Sequence, residues 1–408
     1  MRSRTLLNSV LVLSSFHLSF SQAPTGQLEQ STPQTGGDKI LISIDSPSLA
    51  HFSKMKSSMS LETLHEQNGL SLVKMPLSQL EELSQQMHLS SRRCAGFFAE
   101  DSLESFKAQL EDPEIVEGFD YRVKDLPLVR EKIKNVDEEK IRAVIAKLSS
   151  FQNRYCRSRF GVESQTWVYN TWRDMLAGQD YAQIELFPHR NFIQPSVILT
   201  VKGSKKPDDI IVIGAHGDSI VGFSPREDVE SPGADDNASG VATVTEIIRV
   251  MMSEGFRPER TIKFMSYAAE EIGLMGSREI ADSFRAKKLN VMGVIQLDMT
   301  NFRGSPFDIV LMTDYTDRSQ NEFLQSLART YLPEIQMSTD VCGYACSDHA
   351  SWTRNGYRAS VPFESKMDAS NPHIHTREDT LSVSENRARH AINFAKLALA
   401  FGLELSVE

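Results

Sequence analysis

The sequence has no excess of positive charge. Its 44 lysine and arginine residues are outnumbered by 54 aspartate and glutamate residues, which gives a formal net charge of −10. A nucleic-acid partner is therefore not expected, because there is no basic stripe to neutralise phosphates. After residue 23 the chain also lacks an apolar run of about 18 residues, the length that a transmembrane helix needs. These absences predict a protein that binds neither nucleic acid nor a membrane.

The first 23 residues have the composition of a secretory signal peptide. Two arginines in Met1–Arg4 precede a mostly apolar run, Leu6–Phe20, and small residues follow at Ser21 and Ala23. This order of charged, apolar and small residues is typical of a cleavable export signal and not of a membrane anchor. We therefore expect residues 1–23 to be removed and the mature protein to be secreted and extracellular.

Cysteine is scarce, with only Cys94, Cys156, Cys342 and Cys346 present. In an exported chain, such residues are candidates for disulfides. Cys342 and Cys346 flank a short loop that contains a glycine, and its closure by a bridge is sterically possible. We predict a Cys342–Cys346 disulfide. The pairing of Cys94 with Cys156 stays open, because Cys94 would be lost if its segment were cleaved away.

Residues 24–118 differ in composition from the rest of the chain. A lead rich in Gln, Thr, Pro and Gly is followed by apolar patterns that predict a small α+β module. Its predicted elements are strands Lys39–Ile44 and Leu70–Val73 and helices Leu61–Glu66 and Leu77–Met87. A small module between a signal peptide and a larger domain is most often a propeptide that assists folding or covers the site. We assign residues 24–118 to this role, with a permanent accessory domain as the alternative.

Residues 119–408 alternate between strand and helix patterns. This alternation predicts an α/β domain with a mostly parallel central sheet that is covered by helices on both faces. The predicted strands are Ser196–Val201, Asp209–Gly214, Thr261–Tyr267, Val291–Leu297 and Asp308–Thr313. The predicted helices are Glu138–Phe151, Ser164–Leu176, Val241–Met252, Ser277–Ala286, Arg318–Tyr331 and Glu385–Gly402. In such domains ligands bind beyond the ends of the strands, so the residues that follow the strands are candidates for a functional site.

Acidic and histidine residues follow several of these strands. The apolar strand Asp209–Gly214 leads into His216, and Asp218 can accept the second ring N–H and orient the imidazole. Carboxylates and imidazoles at successive strand ends of one sheet would converge on a single crevice. Their chemical type suits a pair of zinc ions. The pattern therefore indicates a metal-dependent hydrolase.

Two adjacent aspartates, Asp235 and Asp236, lie in a turn-rich segment before the helix Val241–Met252. An acidic pair at this place is usually a helix cap. However, two neighbouring carboxylates repel each other unless a cation lies nearby. We assign Asp235 to bridging two metal ions and Asp236 to supporting that site.

Two further strands end in carboxylates. Glu270 and Glu271 follow strand Thr261–Tyr267, and neighbouring side chains at a strand end diverge, so one can bind metal while the other faces a bound water. We assign Glu271 as a metal ligand and Glu270 as the general base. Asp298 closes the apolar run Val291–Leu297, where a charged residue needs a partner, and we assign it as a ligand of the second ion.

One more ligand is expected from a histidine in the C-terminal part of the chain. His373 and His375 compete for this role, and His349 is a third candidate. Spacing along the sequence does not choose among the three.

Several motifs in a fixed order resemble those of the secreted bacterial leucyl aminopeptidases of the two-zinc peptidase family. The motifs are His216-Gly217-Asp218, Pro232-Gly233-Ala234-Asp235-Asp236, Ala268-Ala269-Glu270-Glu271, Gln296-Leu297-Asp298-Met299-Thr300-Asn301, Cys342-Gly343-Tyr344-Ala345-Cys346-Ser347-Asp348-His349 and His375-Thr376. The likeness extends from about Asp137 to the C-terminal helix. It implies a metal-ligand set of His216, Asp235, Glu271, Asp298 and His375, with Asp235 as the bridging residue.

The resemblance also implies the reaction. Two Zn2+ ions would activate a water molecule, Glu270 would move its proton, and Tyr344 would donate a hydrogen bond to the oxyanion. The substrate would be a peptide with a free N-terminus, whose α-amino group is held by Asp298 and the other ligand carboxylates. A monomer is expected.

A bulky apolar, leucine-like first residue of the substrate is expected, because the resemblance implies an apolar pocket. Met299, Phe302, Tyr344 and Phe363 are candidates for its lining. Two alternatives stay open. A glutaminyl cyclase-like acyltransferase shares this sheet and uses a single zinc ion, and a carboxypeptidase of the same family would act on the other end of a peptide.

Overall fold

The computed structural model describes residues 39–54, 59–91, 96–108, 110, 119–176, 178–222 and 227–408. The predicted signal peptide, the lead and Cys94 lie outside the described residues. The strands are β1 (Lys39–Asp45), β2 (Glu62–Gln67), β3 (Leu70–Pro76), β4 (Phe97–Glu100), β5 (Ala182–Phe187), β6 (Ser196–Val201), β7 (Lys206–His216), β8 (Arg260–Tyr267), β9 (Asn290–Gln296), β10 (Ile309–Met312), β11 (Met337–Asp340), β12 (Ala359–Ser360) and β13 (Pro362–Phe363). The helices are α1 (Ser46–Lys54), α2 (Leu80–Ser91), α3 (Leu103–Ala108), α4 (Pro127–Lys132), α5 (Glu138–Leu148), α6 (Arg159–Asp174), α7 (Gly240–Met252), α8 (Met275–Ala286), α9 (Arg318–Tyr331), α10 (His349–Arg354) and α11 (Ala391–Ser406).

The central sheet has six strands in the order β12-β9-β7-β8-β6-β5. The strands β12, β9, β7 and β8 pair in parallel, whereas β6 and β5 pair antiparallel at one edge. A smaller three-stranded sheet has the order β11-β10-β13. The predicted mostly parallel sheet is therefore confirmed, with two antiparallel strands at one edge. The parallel neighbours β7 and β8 bring their carboxyl ends to the same edge of the sheet.

Successive side chains of β7 point to opposite faces of the sheet. Ile211 and Ile213 belong to an apolar cluster with residues of α5, α7 and α11. Ile210 and Val212 belong to a second cluster with residues of α8 and α10. Because a strand alternates its side chains with a period of two, apolar residues at every position require cover on both faces. The predicted α/β class with helices on both faces is confirmed.

The N-terminal module, defined as the described residues from 39 to 110, contains a four-stranded antiparallel sheet. Its strand order is β2-β3-β1-β4, and helix α2 adds Leu80, Leu83 and Met87 to its apolar core. The predicted helix Leu61–Glu66 is wrong, since this stretch is strand β2. Asn68 and Gly69 have φ values of 53° and 79° and form the tight turn that pairs β2 with β3.

Two other features depart from the sequence-based elements. The strands β4 and β5 were not predicted: β4 has only four residues, too few for a periodic pattern, whereas β5 alternates between apolar and polar residues over Ala182–Leu186 and was missed. The last helix begins at Ala391 instead of Glu385, because Glu385 and Asn386 have left-handed backbone that cannot continue a right-handed helix. No helix in the described part of the chain is long and apolar enough to cross a membrane.

Replacement of Ile213 by alanine is expected to lower the free energy of unfolding by about 2–5 kcal/mol, because it opens a cavity in the fully buried face of β7. Urea unfolding followed by circular dichroism measures this loss. The matched control is Ile193→Ala, whose side chain is 51% exposed and whose removal should change stability by less than about 0.5 kcal/mol. Equal losses in the two variants would contradict the assignment of the core.

Candidate metal centre

Strand β7 ends at His216, and the loop that follows brings Asp218 back against the imidazole. Nδ1 of His216 lies 3.5 Å from Oδ1 of Asp218. The same carboxylate accepts the backbone N–H groups of Glu270 at 3.1 Å and Glu271 at 3.2 Å. Asp218 is thus positioned to orient the imidazole while it also holds the loop that follows β8.

The carboxylate of Asp236 lies between two imidazoles. Its Oδ1 is 3.2 Å from Nε2 of His216, and its Oδ2 is 3.2 Å from Nε2 of His375. The side chain is buried, and it reaches this position from a loop that Gly233 opens with a left-handed φ of 48°. One carboxylate that faces two nitrogen ligands with its two oxygens has the arrangement of a bridging ligand.

The structure exchanges the roles that the sequence analysis gave to the two adjacent aspartates. Oδ1 of Asp235 accepts the backbone N–H groups of Asn301 at 3.1 Å and Phe302 at 3.2 Å, and Oδ2 accepts Nδ2 of Asn371 at 3.2 Å. Asp235 also shares a hydrogen bond with Glu364, whose pKa is raised well above its usual range by burial and by the Asp235 charge. Asp235 is therefore engaged away from the imidazoles, and Asp236 is the residue that faces them.

Glu270 and Glu271 follow β8 and are both buried. Oε2 of Glu271 lies 2.6 Å from Nε2 of His375, which completes a second donor set with Oδ2 of Asp236. Burial raises the pKa of Glu271 to about 7, and burial likewise raises the pKa of Glu270 well above its usual range. The two neighbouring side chains thus offer separate carboxylates to the same crevice.

Asp298 lies two residues beyond the end of β9 and completes the first donor set. Its Oδ1 is 3.2 Å from Nε2 of His216, and its Oδ2 accepts a hydrogen bond of 2.5 Å from Oγ of Ser347. His216, Asp298 and Oδ1 of Asp236 therefore form one group of donors. Oδ2 of Asp236, Glu271 and His375 form the other.

Of the three candidate histidines, only His375 lies in this cluster. His373 is exposed on the surface. His349 is buried at the start of α10, and burial lowers its pKa to about 4. Neither lies within the two donor sets described above.

The donor atoms fit a positive ion. Donor atoms of His216, Asp236 and Glu271 all lie within 4.8 Å of one another. Oε1 of Glu270 and Oε1 of Glu271 are buried and have no hydrogen bond from the described residues. Buried carboxylates without donors are costly unless a cation compensates them. Imidazole nitrogens and carboxylate oxygens are ligands that zinc prefers.

Two buried residues outside the predicted set hold the loops of this centre in place. The guanidinium of Arg154 donates to the carbonyls of Gly217 and Gly233, which lie in the loops after His216 and before Asp236. Asp379 accepts the backbone N–H groups of Asp235 and Asp236. The sequence gives no signal for Arg154 or Asp379, since both lie in segments without a recognisable motif.

Left-handed backbone occurs beside three of the donors. Ala269 and Met299 adjoin Glu270 and Asp298, and His375 itself has this conformation, with φ values between 51° and 57°. Residues other than glycine seldom adopt it, and its cost of about 1–3 kcal/mol is sustained where the surrounding structure fixes the backbone. The left-handed residues in the turns after β8 and β9 therefore determine the direction in which the neighbouring side chains, Glu270 and Asp298, point.

An apolar cavity adjoins Asp298. Part of its wall comes from the small sheet, with Met312 in β10 and Phe363 in β13. The lining residues include Met299, Met312, Tyr344, Val361, Phe363 and Ile374. The loop that carries Tyr344 is closed by the predicted disulfide between Cys342 and Cys346.

The third described cysteine, Cys156, is a buried free thiol, and burial raises its pKa well above the usual range.

The sequence of this chain is similar to those of known peptidases. The profile described as peptidase family M28 matches residues 196–400. A probable aminopeptidase of Saccharomyces cerevisiae is 36% identical over 305 residues, which cover 72% of this chain and 80% of the relative. Leucine aminopeptidase 1 of Arthroderma otae is 34% identical over 315 residues, which cover 74% of this chain and 82% of the relative.

A solved structure extends the similarity to the N-terminal module. The LapA aminopeptidase of Legionella pneumophila matches with a TM-score of 0.79 and 28% sequence identity, over 91% of this chain and 99% of that chain. Residues 119–408 make up less than three quarters of the 408-residue chain. The match therefore extends into the N-terminal module.

Replacement of Asp236 by asparagine is expected to weaken zinc binding by more than about 100-fold, because it removes the charged oxygens that face both imidazoles. Competition with a chromogenic chelator measures the zinc affinity of the purified full chain. The matched control is Asp235→Asn, which keeps an amide oxygen for the N–H groups of Asn301 and Phe302 and should bind zinc nearly as tightly as the unchanged protein. The reverse order of the two affinities would restore Asp235 as the bridging residue.

Proposed function

The chain belongs to peptidase family M28, and from this membership we propose that it is a two-zinc aminopeptidase that removes bulky apolar residues from the N-terminus of peptides. As a member of this family it is a metallo-exopeptidase, and its leucine aminopeptidase relatives support aminopeptidase activity. The number of zinc ions, the preference for apolar residues and the individual roles of the site residues are our own proposals.

The observation that carries the proposal is the position of Asp236 between two imidazoles. His216 lies near one of its oxygens and also contacts Asp298, and His375 lies near the other oxygen and also contacts Glu271. Two sets of protein donors that share one carboxylate are suited to two ions, whereas a single ion would leave one set of buried donors uncompensated. When bound, the zinc ions would polarise the scissile carbonyl and lower the pKa of a water molecule.

Glu270 is the proposed general base. Its Oε1 has no hydrogen bond from the described residues, so it is available to take a proton from the attacking water and deliver it to the leaving amine. Asp218 holds the backbone N–H of Glu270 and thereby fixes where this carboxylate lies.

Substrate binding is proposed to use two different surfaces. The carboxylates of Glu271 and Asp298 would attract the positively charged α-amino group and so select a free N-terminus. The adjoining cavity would take the first side chain, and Met299, Val361, Phe363 and Ile374 give it an apolar wall. Tyr344 also lines this cavity, and its hydroxyl would donate a hydrogen bond to the oxyanion.

Mature protein is expected to cleave leucyl p-nitroanilide and to lose this activity when a chelator removes the metal. Glu270→Gln keeps the size of the side chain but removes the base, so kcat should fall by at least about 100-fold while zinc affinity stays nearly unchanged. Steady-state kinetics and chelator competition on the same samples measure both quantities. Full activity in the presence of chelator would refute the metal mechanism.

The alternatives are distinguished by the same preparation. An aminopeptidase cleaves a peptide that is amidated at its C-terminus and spares one that is acetylated at its N-terminus, and a carboxypeptidase does the reverse. A glutaminyl cyclase would convert an N-terminal glutamine without hydrolysis and would hold one zinc ion per chain. The proposed enzyme should contain two.

We also propose that the protein is exported. The charged, apolar and small-residue order of the first 23 residues supports a signal peptide, and the Cys342–Cys346 disulfide is typical of proteins outside the reducing cytosol. Expression of the full gene in an exporting host is expected to release the protein into the medium, with an N-terminus after Ser21 or Ala23. N-terminal sequencing checks this, and a cytosolic product that keeps Met1 would contradict export.

A further inference from the structure

Helix α2 of the N-terminal module contacts the loop that carries the proposed base and ligand. Oγ of Ser84 donates a hydrogen bond of 2.7 Å to the backbone carbonyl of Glu271, and both residues are fully or almost fully buried. On the same helix, Glu81 accepts a short hydrogen bond from the Tyr155 hydroxyl and lies 3.4 Å from Arg157. A module residue thus fixes the backbone of the residue whose carboxylate faces His375.

Strand β4 of the module contacts the same loop two residues further on. The backbone N–H of Ala99 donates to the carbonyl of Gly273 at 3.4 Å. Gly273 has a φ of 102°, and a Cβ atom there would lie 2.7 Å from Cε2 of Phe97. The loop and the module therefore fit at a distance that only glycine permits. Ser84 and β4 together hold the loop from Glu271 to Gly273.

The module also reaches the other side of the centre. Glu100 at the end of β4 is buried and accepts two hydrogen bonds from the guanidinium of Arg354, the last residue of α10. Phe98 packs with Leu274 and with Ala345, which is next to Tyr344 in the disulfide loop. A buried two-point arginine–carboxylate pair is among the stronger and more directional polar contacts in proteins. The module therefore connects both segments that border the crevice.

No described residue of the module lines the cavity beside Asp298. All residues that line this cavity come from the segment between Asp298 and Ile374. The described contacts of the module with the loop from Glu271 to Gly273 are made by main-chain groups and buried side chains. Such contacts suit a support for this loop.

We propose that the N-terminal module is a permanent part of the active enzyme and that Ser84 is a positioning residue for Glu271. This inference rests on the proposed function, because it concerns the same metal centre. It favours the accessory-domain alternative over the propeptide assignment of residues 24–118. The extension of the similarity with the solved Legionella aminopeptidase into the module supports it.

Replacement of Ser84 by alanine is expected to lower zinc affinity and kcat by about 10- to 100-fold, because the carbonyl of Glu271 loses its buried donor and the ligand loses its fixed direction. The KM for leucyl p-nitroanilide should rise as well, since Glu271 is also proposed to attract the α-amino group of the substrate. Zinc affinity is measured on the full chain by chelator competition, independently of activity.

The matched control is Ser71→Ala. Ser71 is a fully buried module serine whose hydroxyl contacts Ser46 and Glu66, both within the module. It should lower the stability of the module without changing zinc affinity or kcat. Equal zinc affinity and equal kcat in Ser84→Ala and Ser71→Ala would overturn the positioning role.

Cleavage of the folded chain tests the permanence of the module. A specific protease site inserted between residues 110 and 119 allows the full-length protein to fold before it is cut. We expect the two pieces to stay together on gel filtration, with no rise in activity. A rise in activity after cleavage, with or without release of the module, would identify a covering propeptide and overturn the proposal. The proposed function itself fails if the zinc-loaded protein is inactive towards every aminoacyl p-nitroanilide both before and after the cut. Normal zinc affinity in Ser84→Ala overturns only the role of Ser84.

Discussion

The buried concentration of negative charge around Asp236 is the constraint on which the rest of this structure depends. Glu270, Glu271, Asp236 and Asp298 all lie in one crevice with little exposure to water. Charges of one sign do not persist in such a place without compensation. The two imidazoles supply donors of the kind that a metal needs, and the loops around them are held by hydrogen bonds to backbone groups. The fold positions these loops at adjacent strand ends, so the order of the strands determines which donors meet in the crevice.

Most of the architecture could be predicted from local sequence. The long apolar strand β7 and the amphipathic helices follow directly from the spacing of apolar residues, and the residues after β7, β8 and β9 identify the crevice. The edge strand β4 was missed because its four residues are too few for a periodic pattern. The stretch Leu61–Glu66 was assigned to a helix, whereas the turn at Asn68 and Gly69 pairs it with β3 as a strand.

The finer assignments of the site depend on backbone direction, which a sequence does not show. Asp235 and Asp236 have the same chemistry and adjacent positions, and only the irregular backbone of Asp236 and Asn237 decides which side chain faces His216. The choice among three histidines is likewise made by the left-handed turn at His375. Arg154 and Ser84 act on main-chain carbonyls, and such contacts leave no pattern of residue types by which they could be found.

The five donor-bearing residues are spread from His216 to His375 along the chain and lie at strand ends and in loops that only the assembled sheet brings together. A metal ion therefore finds no partial site in a short peptide of this protein, and it does not nucleate local structure during folding. Under the proposed function, zinc would bind the native state selectively, and its free energy of binding would add to the free energy of unfolding by mass action. The availability of zinc would then determine the lifetime of the folded chain in addition to its activity.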